Sequence, residues 1–260
     1  MGITHWDDVE PGRDLGQAAG AVGVSLRHHR LEPGEQAAPA GPNTEETIFV
    51  VAGSGRSSQE LRAGDCVVRT VMHDAGPLQA GAEGLTAFSF VTPAQRPPFL
   101  NPEPEPERLV NIDGAESDYQ GEAGRWVLLA RQAGATQAGV NWAHLEPGFA
   151  GAPPHCHSAD EELFVILEGG GTLELWPSPQ VEAEFETHEV RAGHVISRPP
   201  STRISHYFRA GDEGMTFLVY GTRRSNDVCY YPRSSKIFWR GIGFIARLEP
   251  LEYDDGEPKD

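Results

Sequence analysis

Pro153-Pro154-His155-Cys156-His157-Ser158-Ala159-Asp160-Glu161-Glu162-Leu163-Phe164-Val165-Ile166-Leu167-Glu168-Gly169 is the stretch that decides the fold. Two histidines at i and i+2 of an extended segment point to the same side, so one strand offers both imidazoles to a single ion. A carboxylate follows after a short turn. Val165, Ile166 and Leu167 supply a buried strand core, and Glu168-Gly169-Gly170-Gly171 reads as the turn that ends it. Much later His206 stands in a turn-rich segment. The pattern is that of a metal site carried on strands.

These residues resemble the first motif of the cupin superfamily, in which two histidines one residue apart are followed by a glutamate and a glycine. His155 and His157, then Glu162, then Gly169 fit it, whereas Gly148 lies one residue farther upstream than the motif asks. The spacing to Gly169 works from Glu162 and not from Glu161, which assigns Glu162 as ligand and Glu161 as its outward neighbour. The second cupin motif is matched more loosely. Gly193 and Pro199 are in place, but Ser201 replaces a glycine, the turn before His206 is longer, and Ala210 stands where an asparagine is usual. The resemblance implies a metal centre of His155, His157, Glu162 and His206.

The same pattern, stripped of its histidines, occurs in the first half. Leu31-Glu32-Pro33-Gly34 returns as Leu145-Glu146-Pro147-Gly148, and Glu45-Glu46-Thr47-Ile48-Phe49-Val50 as Glu161-Glu162-Leu163-Phe164-Val165-Ile166. Arg62-Ala63-Gly64 returns as Arg191-Ala192-Gly193, and the segment from Ala80 to Thr86 as that from Ala210 to Thr216. Matched blocks in the same order indicate a duplication. In this register His155, His157 and His206 correspond to Pro39, Gly41 and about Pro77, so only Glu46 of the ligand set survives in the first copy.

With the duplication, the resemblance implies an all-β chain of two tandem jelly-roll barrels. An N-terminal barrel without metal ligands is expected over 1–100, a Pro-rich connector over 101–110, and a C-terminal barrel with the metal site and an aromatic tail over 111–260. Gly 30 and Pro 21 in 260 residues favour many turns between short strands. The tail, from Asn226 to Phe244, has no clear copy in the first half; its aromatic residues read as cover for one barrel.

A net charge of -17 works against nucleic acid and anionic membranes as partners. Cys66, Cys156 and Cys229 are widely spaced and odd in number, which indicates neither a disulfide framework nor a zinc ribbon. With neither a basic, apolar leader at Met1–Asp8 nor an apolar run of spanning length, a cytoplasmic location is expected. The expected partner is a small-molecule substrate or ligand, with the chain a monomer or homodimer.

Neutral imidazoles with one carboxylate suit one divalent transition metal ion, Fe, Mn, Ni, Co or Zn, with positions left for substrate. Phe164 and Ile166 share the parity of Glu162, and Phe208 that of His206, so these should line the interior beside the ion. His144 on the preceding strand and Arg203 in the turn before His206 are the candidate catalytic groups, as base and as anion holder. Arg198 has a twin in Arg69, which points to a structural role. The resemblance implies a metal-dependent enzyme on a small organic substrate, of dioxygenase type or another cupin oxidoreductase or isomerase. The rival expectation is a non-catalytic bicupin that binds a small ligand or sugar.

Overall fold

A computed structural model describes residues 2–10, 12–71, 76–94, 106–179 and 181–258. Residues 101–105, the first half of the expected connector, and residues 95–100 before it lie outside the described residues. The fold is all-β. Helix is confined to short pieces such as Leu15–Ala18 and Leu129–Gln132. Among the described residues no helix is long and apolar enough to cross a membrane.

Two large antiparallel sheets carry the chain. One takes, in order, Gly2–His5, His194–Arg198, Glu162–Pro177, Ile204–Thr222, Ala138–Leu145, Gly124–Val127 and Tyr119–Gly121, with Glu186–Arg191 added beside Glu162–Pro177. The other takes Ser25–Leu31, Leu78–Pro93, Thr44–Arg56, Asp65–Arg69 and Arg108–Asn111, with Gln36–Ala37 and Glu60–Arg62 on its flanks. Sheet membership crosses the sequence halves at both ends. Gly2–His5 pairs with His194–Arg198 of the second half, and Arg108–Asn111, which overlaps the end of the expected connector, pairs back onto Asp65–Arg69 of the first. Each half thus covers an edge of the other's sheet, where unpaired backbone groups would otherwise face water.

Period-2 alternation sorts the side chains into three cores. Along Glu162–Pro177, Phe164 and Ile166 face a core inside their own sheet with Phe208, Phe217 and Val219. Leu163 and Val165 face the other way, into a core shared with Leu26, Phe49, Phe88 and Phe90 of the first half. Ile48 and Val50 alternate with Phe49 to fill the interior of the first sheet with Val67, Leu78 and Leu85. Strands buried on both faces explain why Leu163–Leu167 reads as a continuous apolar run rather than an alternating one.

The glycine triad does not end a strand. Glu162–Pro177 runs through Gly169-Gly170-Gly171 with register shifts against Ile204–Thr222, so the expected turn is a pair of bulges that bends one long strand. At Gly169 φ is +66°, and a Cβ on Gly171 would sit 2.0 Å from the carbonyl oxygen of Arg209. Only glycine permits that approach. The first half repeats the device, with Gly53 at φ +78° and register shifts on either side of it.

The halves are tied together by a reciprocal pair of buried carboxylates. Glu45 accepts from the backbone amides of Thr136, Gln137 and Ala138 at 2.7, 2.9 and 3.0 Å and from the Thr136 hydroxyl at 2.9 Å. Its repeat mate Glu161 accepts from the amides of Val22 and Gly23 at 2.7 and 2.8 Å. Between them the rings of Phe90 and Tyr220 stack at 5.2 Å, and the Tyr220 and Thr92 hydroxyls lie 2.6 Å apart. Removing a buried acceptor strands its donors, at about 1–3 kcal/mol per group. In urea unfolding, Glu45→Ala should lower stability by about 3 kcal/mol, and by more than Glu161→Ala because it strands more donors. Equal, near-zero losses would show that these carboxylates do not hold the halves together.

Candidate metal centre

Three separate segments meet at one end of the inner face of the C-terminal sheet. Glu162 opens the strand Glu162–Pro177, with Phe164 and Ile166 following on the same side. His206 lies on the adjacent strand Ile204–Thr222, and Phe208 follows it inward. His155 is held against His206 by reciprocal backbone hydrogen bonds of 3.3 and 3.0 Å, and His157 continues in the short strand Cys156–His157.

All four expected ligands come together. The ligating atoms of His155, Glu162 and His206 lie within 4.8 Å of one another. Glu162 Oε2 is 3.4 Å from His157 Nε2 and 3.2 Å from His206 Nε2, and the His155 ring centroid is 5.1 Å from that of His157 and 4.5 Å from that of His206. Glu162 Oε2 and His157 Nε2 are buried without a hydrogen-bond partner among the described residues. A buried acceptor left unmade is costly, and a cation between these atoms would satisfy both.

The electrostatics fit a cation. Burial pushes His155 and His206 below the ordinary imidazole value, leaving neutral rings with free lone pairs. Burial acts on His157 in the same direction, but the carboxylates of Glu162 and Asp227 outweigh it and hold that ring protonated. Burial would raise Glu162, yet His157 and His206 hold it well below the usual carboxylate range. His157 thus stands between two carboxylates, Asp227 at Nδ1 and Glu162 at Nε2, and a divalent ion at Nε2 would take the place of a proton there. Three imidazoles and a carboxylate are a donor set for a divalent transition metal ion.

The aromatic tail supplies what sequence reading missed. Val228–Tyr231, Lys236–Trp239 and Phe244–Arg247 form a small sheet with Cys156–His157. Just before it, Asp227 accepts from His157 Nδ1 at 2.7 Å and from the amides of Ala159 and Asp160 at 2.9 and 3.0 Å. That bond fixes the tautomer that aims Nε2 at the cluster. His155 Nδ1 is fixed similarly by the Pro153 carbonyl at 2.8 Å, and Tyr231 stacks on the His155 ring. Cys229 Sγ lies 3.4 Å from His157 Nδ1, behind the ring. No spacing links Asp227 to His157, since they lie far apart in the chain and meet only through strand pairing.

Neither His144 nor Arg203, the expected catalytic pair, lines the small cavity over the cluster. Ala143 and Leu145 face the inner core, so His144 is on the opposite face, where Nδ1 meets Thr216 Oγ1 at 2.9 Å and the ring stacks on Trp142. Arg203, at φ +59° in the turn, lines a separate cavity of about 520 Å³ that reaches Cys156 and His157 from outside the cluster. Over the cluster itself is a cavity of about 110 Å³, walled by Trp126, Phe164, Phe208 and Phe217. It has room for a few water-sized groups, at roughly 30 Å³ each.

In the first half Glu46 pairs with Arg69 Nη1 at 2.9 Å, and Arg69 Nε meets Glu107 at 2.6 Å. The equivalent Arg198 sits opposite Glu162 in the ladder, as Arg69 sits opposite Glu46, but turns to the Ile204 carbonyl and leaves Glu162 to the histidines.

No family model and no curated protein sequence matches the chain. Solved structures do. The oxalate decarboxylase of Lactobacillus farciminis, in a formate complex, superposes with a TM-score of 0.66 at 15% identity over 86% of each chain. The Bacillus subtilis oxalate decarboxylase, studied for its Mn(II) centers, gives 0.65 at 15% identity over 85% of this chain and 76% of its own. At that identity the likeness is one of architecture, and the chain has the fold of these cupin proteins.

Proposed function

We propose that the chain is a metal-dependent enzyme that transforms a small organic substrate at His155, His157, Glu162 and His206, with the first half serving as scaffold. The observation that carries this reading is the pair of buried atoms Glu162 Oε2 and His157 Nε2, 3.4 Å apart and neither in a hydrogen bond among the described residues, in an imidazole–carboxylate cluster under a small cavity. The fold shared with the Bacillus subtilis oxalate decarboxylase supports it, because that protein has Mn(II) centers.

A bound divalent ion would act as a Lewis acid that polarises a coordinated carboxylate, carbonyl or hydroxyl. The protein residues do the rest. Asp227 and the Pro153 carbonyl hold two of the imidazoles in one tautomer. Phe164, Phe208 and Phe217 exclude bulk water from the inner side and so strengthen every charge interaction in the cavity. Tyr231 shields the half-buried His155 from the tail side. The first half has no competing centre in this reading. Its Glu46 is neutralised by Arg69, and Pro39 and Gly41 stand where imidazoles would be.

Dioxygenase chemistry is one form of this proposal and decarboxylation or isomerisation another; the metal bound decides which substrates to screen. Elemental analysis of untagged protein should find near-stoichiometric Fe, Mn, Ni, Co or Zn in the wild type and none in His155→Ala/His157→Ala. Metal-free wild type, even after anaerobic reconstitution, would sink the enzyme reading in favour of a binding module. Oxygen uptake during turnover would then separate dioxygenase chemistry from its alternatives.

Asp227→Asn keeps an acceptor for the Ala159 and Asp160 amides but removes the charge behind His157. Metal affinity, measured by chelator competition, should fall about 10–100-fold, with the thermal midpoint of the metal-free protein little changed. Unaltered affinity would show that Asp227 does not position the ligand.

A further inference from the structure

Beside the cluster, and sharing Asn141, Glu162 and Val219 with the cavity above it, lies a second cavity of about 260 Å³. Its wall brings together Arg131, Arg223 and Arg240, from the short helix Leu129–Gln132, the chain just past Ile204–Thr222, and the tail. The same wall carries Asp160 and Glu162, so three arginines against two carboxylates leave it positive by one charge in a chain of net charge -17.

Two of these arginines, Arg223 and Arg240, have partners within the protein, and Arg131 differs from them. Arg240 Nη1 pairs with Asp160 at 2.8 Å and lies 3.7 Å from Asp227. Asp160 is saturated, since it also accepts from the Arg224 amide at 2.7 Å and the Thr222 hydroxyl at 3.0 Å. Arg223 donates to the Ala135 carbonyl at 3.4 Å. Burial, and the nearby charges of Arg131 and Arg240, push its guanidinium below the ordinary value against the pull of Glu45 and Asp160. Arg131 is exposed, and its guanidinium has no hydrogen-bond or ion-pair partner among the described residues.

We infer that this cavity is an anion subsite: the substrate carries a carboxylate or similar anionic group distal to its reacting end, held by Arg131 and Arg223 while the other end lies at Glu162 and the histidines. The inference rests on the metal-centre reading for the reacting end alone. Cavity size sets the class. At roughly 30 Å³ per water-sized group, about 260 Å³ holds a chain of a few carbons with its terminal carboxylate. Oxalate, whose two carboxylates are bonded directly to each other, has no carbon chain to carry a distal anionic group from the cluster into this cavity. Guanidinium suits the role because its planar fork matches a carboxylate. The arginines also concentrate small anions at a mouth that the rest of the acidic surface repels.

The test is calorimetric binding of succinate, glutarate and adipate, each against its neutral diamide and against oxalate, to the full-length protein both as purified and after metal removal. One or more of the longer diacids should bind wild type more tightly than its diamide and than oxalate, with an affinity that weakens as salt is raised. Arg131→Ala should lose roughly tenfold or more of that affinity, while Arg203→Ala, in the other cavity, should lose none. Arg131→Glu, on an exposed side chain that leaves the core untouched, should abolish the preference for diacid over diamide. The inference is overturned if diacid and diamide bind alike, if oxalate binds best, or if both Arg131 variants bind as wild type does. Elemental analysis of the same samples keeps the two questions apart. Metal-free wild type that still discriminates through Arg131 would refute the metal reading and leave the anion subsite standing; metal-loaded protein without discrimination would do the reverse.

Discussion

Two adjacent glutamates that must face opposite ways govern this structure. At the start of Glu162–Pro177, Glu161 turns outward to receive the amides of Val22 and Gly23, and Glu162 turns inward to the histidines. The strand period leaves no alternative. A slip of one residue would send Glu162 into the interface and Glu161 into the interior, along with every apolar residue behind them. The interface that ties the halves together thus also fixes the register of the cluster.

The duplicated half shows what the same frame does without histidines. Glu45 clamps the backbone of the second half as Glu161 clamps that of the first, so the outward role is kept in both copies. The inward role diverges. Glu46 meets a guanidinium, and the buried pair is extended by Glu107, whose carboxyl burial would raise but which contacts with Ser57, Ser58 and Arg69 hold at about 2. In the second copy the corresponding arginine turns away, and Nε and Nη1 of Arg198 are left without partners among the described residues. An inward carboxylate needs a positive neighbour in either copy; one has a guanidinium, and the other has a protonated imidazole in a geometry suited to a metal.

The tail completes the second copy. By pairing with the strand that carries His157, it brings Asp227 behind one ligand, Tyr231 beside another and Arg240 to the neighbouring cavity. Aromatic residues such as Trp239 and Phe244 pack within this added sheet rather than over the inner core, so its aromatic content reflects a structural unit with site residues embedded in it.

The all-β class and the grouping of His155, His157, Glu162 and His206 were implied by the resemblance to cupins, whereas the duplication was determined by the sequence itself, because it follows from local spacing. Parity placed Phe164, Ile166 and Phe208 inside and Glu161 outside for the same reason. What it misread were features set by strands remote in sequence. The glycine triad is a bend because Arg209 crosses against it, and His144 faces away because of how Ala138–Leu145 pairs with Ile204–Thr222. The exchange of Gly2–His5 and Arg108–Asn111 between sheets, the bond from His157 to Asp227, and the gathering of Arg131, Arg223 and Arg240 were decided only by the tertiary structure. Hydrogen-bond ladders join residues by register and not by sequence distance, so those neighbours have no pattern along the chain to betray them.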